Sequence, residues 1–162
     1  MRVLFIRHAA AADRAPSGGS DLDRPLTDDG REDARRMFKA LARLYPEPNA
    51  VISSEAVRAY ETADLFCEAF GKVKPAKSPL LNPGSGFKEF RKLVAEIGGK
   101  PDSIAIFGHE PDFSCILGQI IGDGGLRIDV KKASCIEVDI NSICKGELKL
   151  LLTPKAVAKL CK

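Results

Sequence analysis

Near its start the chain carries Val3-Leu4-Phe5-Ile6, four apolar residues in a row, closed at once by Arg7-His8. The run is too short for a helix and has no polar alternation. It fits a strand buried on both faces. Ala50-Val51-Ile52 and Ile104-Ala105-Ile106-Phe107 repeat the pattern. Strands of this kind belong to α/β sheets, where the ligand crevice lies at the carboxyl ends of the strands. Residues just after such runs are therefore the first candidates for chemistry.

Between the runs the pattern changes to helical spacing. Ala34, Met37, Phe38, Leu41 and Leu44 or Tyr45 recur every three or four residues, with Thr27 as the expected N-cap and Pro46 and Pro48 as terminators. A second helix is expected over 55–70, capped by Ser54 and stopped by Gly71. A third runs near 86–97, and a fourth starts near Asp112, expected to cap it, with Phe113, Ile116, Leu117, Ile120 and Ile121 on one face. Weaker strand signals cover Lys72 to Ala76 (an edge strand, given Pro75), Leu126 to Val130, Ser134 to Ile140 and Glu147 to Leu152. Asp123-Gly124-Gly125 and Lys145-Gly146 read as turns, Leu80 to Gly84 as a loop, and Thr153-Pro154 as the start of a short last helix. Residues 9–24 form a long, breaker-rich loop, the kind that often carries function. Without repeat, linker or low-complexity tract, residues 1–162 are expected to form one domain.

Composition removes several function classes. The net charge of +3 is small and evenly spread, and two Tyr with no Trp make a poor base-stacking platform, so nucleic acid is not expected. No stretch reaches the ~18 apolar residues of a membrane span. No signal-peptide core forms either, because Arg7 and His8 interrupt the first apolar run. Five cysteines, Cys67, Cys115, Cys135, Cys144 and Cys161, give an odd number without a CxxC unit. That argues against a disulfide framework or a zinc site and for a reducing, cytoplasmic location. Cys67 and Cys115 are expected as small core residues on apolar helix faces.

The two histidines of the chain, His8 and His109, both follow strongly apolar strands. Arg7 shares the first strand end, and Arg58 lies one turn into the helix after the second. These four groups converge on one crevice if the strands are parallel neighbours. Two imidazoles and two guanidiniums without thiolates or clustered carboxylates make a poor metal site and a good phosphate site.

Arg7-His8-Ala9, Ser53-Ser54-Glu55-Ala56-Val57-Arg58-Ala59-Tyr60-Glu61-Thr62-Ala63 and Gly108-His109-Glu110-Pro111 resemble the three sequence blocks of the histidine phosphatase superfamily, in its order. The short chain and Arg24-Pro25-Leu26-Thr27-Asp28-Asp29-Gly30 resemble its SixA-type phosphohistidine phosphatase branch. The resemblance implies a phosphoglycerate mutase-like fold, a three-layer α/β sandwich with a mixed, mostly parallel sheet flanked by helices. It implies that His8 is the phosphorylated nucleophile, that Arg7, Arg58 and His109 hold the phosphoryl oxygens, and that Arg24 reaches the phosphate too. The family usually has Gly where this chain has Ala9, and one added methyl is expected to be tolerated. The chemistry is consistent on its own terms. Phosphoryl transfer is mainly positioning and charge stabilisation, which cationic side chains supply without a metal.

Phosphomonoesterases of the superfamily commonly place a carboxylate in the loop after the third strand. Leu80-Leu81-Asn82-Pro83-Gly84-Ser85 has none. An alkoxide leaving group needs a general acid, whereas imidazole, with pKa ~6.5, needs far less help. The expectation is therefore a metal- and cofactor-independent phosphatase acting on a phosphohistidine-bearing protein. Asp21, Asp23 and Glu110 are fallback donors. A small-molecule phosphomonoesterase acting on a phosphorylated metabolite is the alternative, and a non-catalytic phosphoprotein-binding module is another. Nothing in the sequence sets the oligomeric state, and a monomer is the default expectation.

Overall fold

Val3 and Phe5 project from one side of the first strand and Leu4 and Ile6 from the other, and each pair is sealed into a different core. This is the period-two geometry of a strand, with both faces apolar because both are covered. The computed structural model describes residues 1–71, 74–99, 101–122 and 124–160. Its elements are β1 (Arg2–Arg7), α1 (Asp28–Leu44), β2 (Ala50–Ser53), α2 (Val57–Phe70), β3 (Ala76–Lys77), α3 (Phe87–Glu96), β4 (Ser103–Gly108), α4 (Asp112–Ile121), β5 (Cys135–Ile140), β6 (Gly146–Leu152) and α5 (Pro154–Leu160).

The strands form one sheet in the order β3-β2-β4-β1-β5-β6. β1, β2, β3 and β4 are mutually parallel, and β5 and β6 add an antiparallel hairpin at one edge. Helices α1, α2 and α5 cover one face through Met37, Phe38, Phe66 and Val157. Helices α3 and α4 cover the other through Phe90, Leu93, Phe113, Ile116 and Leu117. The chain thus forms a three-layer α/β sandwich around a mixed, mostly parallel sheet. β1 and β4 lie side by side at its centre with Arg7 opposite Gly108, so the residues that follow each strand meet at one sheet edge.

Local signals explain most boundaries. The Thr27 hydroxyl accepts from the Gly30 N–H at 3.1 Å, and Gly71 ends α2 with φ +78°. Asn141 closes the β5–β6 turn by accepting from the Ile143 and Lys145 N–H groups, so the turn precedes Lys145-Gly146 rather than falling on it.

Other expectations change. Leu126 to Val130 is not a strand. Its neighbour β5 is already paired on both sides, by β1 and β6, so the segment has no free edge to join. Ser54 does not cap α2, which starts at Val57 after Ala56. Asp112 is the first helical residue of α4, and its carboxylate accepts from the Gly84 N–H at 2.8 Å instead of capping its own helix. Cys67 is buried as expected, but Cys115 is exposed, being off the Phe113-Ile116-Leu117-Ile120 face. Pro79 to Leu81 is a 3-10 turn within the expected loop. β3 is the expected edge strand, shifted to Ala76–Lys77; Lys72 and Val73, Asp123 of the expected turn and Cys161 lie outside the described residues.

Candidate active site

His8 directly follows β1 and is 7% exposed. Its Nδ1 lies 2.7 Å from the Ala9 carbonyl oxygen. A carbonyl only accepts, so Nδ1 carries the proton and Nε2 keeps the lone pair. The ring is thereby held in the tautomer that a nucleophile needs. Ala9 itself is fully buried and donates its N–H to the Thr62 hydroxyl at 3.1 Å. Positive φ among described non-glycine residues is confined to Ser17, Ala133 and Cys144, so Ala9 sits in backbone open to any L-residue. The backbone therefore accepts the extra methyl, which is buried in the core.

His109 follows β4 and is 3% exposed. The two imidazole centroids are 5.2 Å apart. His109 Nε2 is 2.9 Å from the Ser54 hydroxyl, while its buried Nδ1 has no partner. A buried imidazole nitrogen without a partner is costly and marks a group poised for a ligand. Ser54, which the sequence pattern presents as a helix cap, is instead a component of the site. Its hydroxyl also donates to Asn82 Oδ1 at 3.0 Å, which ties the 79–85 loop to His109. The available signal was its place at the carboxyl end of β2, equivalent to that of both histidines.

The arginines surround the rings. Arg7, at the end of β1, donates Nη1 to the Val130 carbonyl at 2.8 Å. Arg58, in the first turn of α2, has a side chain only 4% exposed. Its Nη1 donates to the Asp21 carbonyl at 2.6 Å and its Nη2 to the Asp21 carboxylate at 2.9 Å. Arg24 meets the same carboxylate at 2.8 Å and donates to the Ala12 carbonyl at 3.0 Å. Asp21 therefore links Arg24 and Arg58 across the mouth of the site. The Nε atoms of Arg7 and Arg58 are buried and unpartnered.

This setting keeps both rings uncharged at neutral pH. Burial, opposed by the Ala9 carbonyl and reinforced by Arg58 and Arg7, pushes His8 down to about 4. Burial, then His8 and Arg58, pushes His109 down to about 3. Burial also lowers Arg7. Burial works to raise the Asp21 carboxyl, but the Arg58 and Arg24 guanidiniums outweigh it and the net shift is downward.

The other fallback donors, Glu110 and Asp23, each accept from a backbone N–H, and Glu110 also acts on the Arg7 charge. Glu110, just before α4, accepts from the Ser114 N–H of its first turn at 3.0 Å. Asp23 accepts from the Ser20 N–H at 2.8 Å and from its hydroxyl at 2.7 Å. Among the described residues no group of three or more His, Cys, Asp or Glu side chains is placed to hold a metal ion, and no helix is long and apolar enough to cross a membrane. The assembled site is a cationic, largely buried cluster around an uncharged imidazole whose Nε2 keeps its lone pair.

Residues 3–83 match the family model of the histidine phosphatase superfamily, branch 1. An uncharacterized protein of Picosynechococcus sp. is 30% identical over 162 residues, covering 96% of this chain and 98% of that protein. The chain belongs to the histidine phosphatase superfamily. Its fold is SixA-like: it is similar to the protein histidine phosphatase SixA complexed with tungstate, with TM-score 0.86, 22% identity and coverage of 96% of this chain and 98% of that one. It is also similar to the α-ribazole phosphatase from Shigella flexneri, with TM-score 0.69, 21% identity and coverage of 95% and 97%.

Proposed function

We propose that this protein is a phosphohistidine phosphatase that removes the phosphoryl group from a histidine displayed on another protein. The observation that carries the reading is the His8 ring, fixed by Ala9 with Nε2 free and facing His109 across 5.2 Å. In the first step His8 Nε2 attacks phosphorus and the substrate P–N bond breaks. Its electron pair stays on the departing imidazole, which takes up a proton. In the second step a water oxygen attacks phosphorus, the P–N electron pair returns to His8 Nε2, the water's extra proton passes to the phosphate or to solvent, and inorganic phosphate leaves. Arg7, Arg58 and the unpartnered His109 Nδ1 stabilise the equatorial oxygens throughout. The arriving dianion raises the His109 affinity for a proton, which makes that ring a charged donor when it is needed. Arg24 reaches the same oxygens once Asp21 gives way.

The preference for phosphohistidine follows from the donor set. The 79–85 loop turns Asn82 toward Ser54 and offers no carboxyl group. The alcohol of a phosphoester would leave as an alkoxide without a dedicated acid, whereas imidazole, with an ordinary pKa of ~6.5, needs far less help. Similarity to an α-ribazole phosphatase favours a second reading, a small-molecule phosphomonoesterase, in which Asp21, bonded to Arg58, is a candidate proton donor.

The test compares phosphate release from a phosphohistidine-bearing carrier protein and from p-nitrophenyl phosphate, using wild type and His8→Ala. The expected outcome is rapid release from the carrier, little from the ester, and a loss of at least about 10³-fold in the variant. Fast ester turnover without carrier turnover replaces this reading with the second. Carrier binding without turnover of either substrate makes the protein a binding module.

A further inference from the structure

Residues 130–134 are clamped onto the end of β1. The Arg7 N–H donates to the Ser134 carbonyl at 3.3 Å, and the Ala133 N–H donates to the carbonyls of Arg7 at 3.1 Å and His8 at 3.3 Å. Arg7 Nη1 adds its bond to the Val130 carbonyl. Ala133 has φ +56°, a left-handed conformation that a residue with an apolar side chain adopts only where its surroundings compel it. The phosphoryl chemistry uses none of the side chains on this turn. What the strain secures is the position of Lys131 and Lys132, both exposed, immediately beside Arg7 and His8.

A groove of about 670 Å³ opens between this turn and α5, and Arg7, Asp33, Lys132, Thr153, Pro154 and Lys155 are among its walls. Lys131 is neutralised by Asp129 at 2.6 Å. Lys132 and Lys155 have no ion pair among the described residues. Pro154 and Ala158 supply its apolar lining, its charged lining is mostly cationic, and Asp33 is the acid among it. Arg7 is shared between the groove and the phosphoryl pocket, so an occupant of one is led into the other.

We propose that this groove docks an acidic segment of the protein whose phosphohistidine enters the pocket, with Lys132 and Lys155 receiving its carboxylates beside Arg7. The inference rests on the phosphohistidine reading above and adds the chemistry of the partner. The groove shares Arg7 with the phosphoryl site, and its two unpaired lysines come from separate elements, the 130–134 turn and α5. That arrangement suits an extended acidic surface. Charges on the rim of an interface act mainly on encounter rate and salt dependence.

The experiment measures kcat/KM on two P–N substrates, a phosphorylated, net-negative histidine phosphocarrier protein and phosphoramidate. Wild type is compared with Lys132→Glu/Lys155→Glu. The variant is expected to lose about tenfold or more on the carrier, with the loss in KM, and to stay within about twofold on phosphoramidate. Added salt should slow wild type on the carrier and leave the variant nearly unaffected. An equal loss on both substrates, or none on either, overturns the docking site. So does a wild-type enzyme that hydrolyses phosphoramidate but not the acidic carrier, although the P–N chemistry then stands. Failure of wild type on both substrates overturns the phosphohistidine reading and the docking site with it.

Discussion

Asp21 is the residue on which ligand entry turns. Both terminal nitrogens of Arg58 donate to it, one to the main-chain carbonyl and one to the carboxylate, and Arg24 meets the other carboxylate oxygen. A phosphoryl dianion needs the same guanidiniums and is repelled by the same carboxylate. Asp21 is 62% exposed at its side chain, so solvent screens its ion pairs and it yields cheaply. Asp21→Asn keeps the main-chain contact and removes the charge. It should tighten inhibition by inorganic phosphate about threefold to tenfold, the effect of removing one like charge near a partly exposed anion site. The inhibition constants of wild type and variant at low salt measure this. Weaker inhibition in the variant would mean that Asp21 braces Arg58 for the anion instead of competing with it.

At the level of elements, α1 is pressed against the loop that carries the nucleophile. The Thr27 N–H and hydroxyl both donate to the Ala10 carbonyl, at 3.0 Å and 3.3 Å. A Cβ at Gly30 would run into that same carbonyl. Gly to Ala inside a helix ordinarily stabilises by about 1 kcal/mol. Here Gly30→Ala should destabilise by roughly 1–3 kcal/mol, because two pieces of backbone must separate. Urea unfolding gives the sign directly, and a stabilised variant would contradict this packing. Such contacts also mark where the sequence stops being legible. β1 and β4 are readable because both faces are buried, and Thr27 is readable because capping is local. Leu126, Ile128 and Val130 alternate like a strand, yet whether they pair depends on β5, which β1 and β6 already occupy. Ser54 has the right chemistry for a cap, and its bond to His109 exists only because β2 and β4 are neighbours. His8, His109, Arg7 and Arg58 stand out in the sequence through the ends of local elements. Asp21 opens a single 3-10 turn and Lys132 lies in an irregular segment, both too short for any periodicity to report which way a side chain points.

For the whole molecule, the price of the site is a pH-dependent stability. His8 is lowered to about 4 and His109 to about 3, from an ordinary value near 6.5, chiefly by burial. Between those values the unfolded chain binds protons that the folded chain refuses. Stability therefore rises with pH through this window and is lost as pH falls from about 6.5 toward 4. At pH 5 each ring contributes a penalty of roughly 2 kcal/mol relative to neutral pH. In a chain of 162 residues that corresponds to about 4–8 °C in Tm for one ring. Wild type should melt lower at pH 5 than at pH 7.5, and His109→Gln, which has no ring to titrate, should shrink the difference by about that amount. The same burial places the acid limb of kcat/KM well below pH 6.5, because His8 stays an uncharged nucleophile there. Equal melting shifts in wild type and variant, together with an activity that falls through pH 6.5, would show that the two rings titrate as exposed histidines do. The cationic pocket would then not be the enclosed, water-poor site on which the proposed chemistry depends.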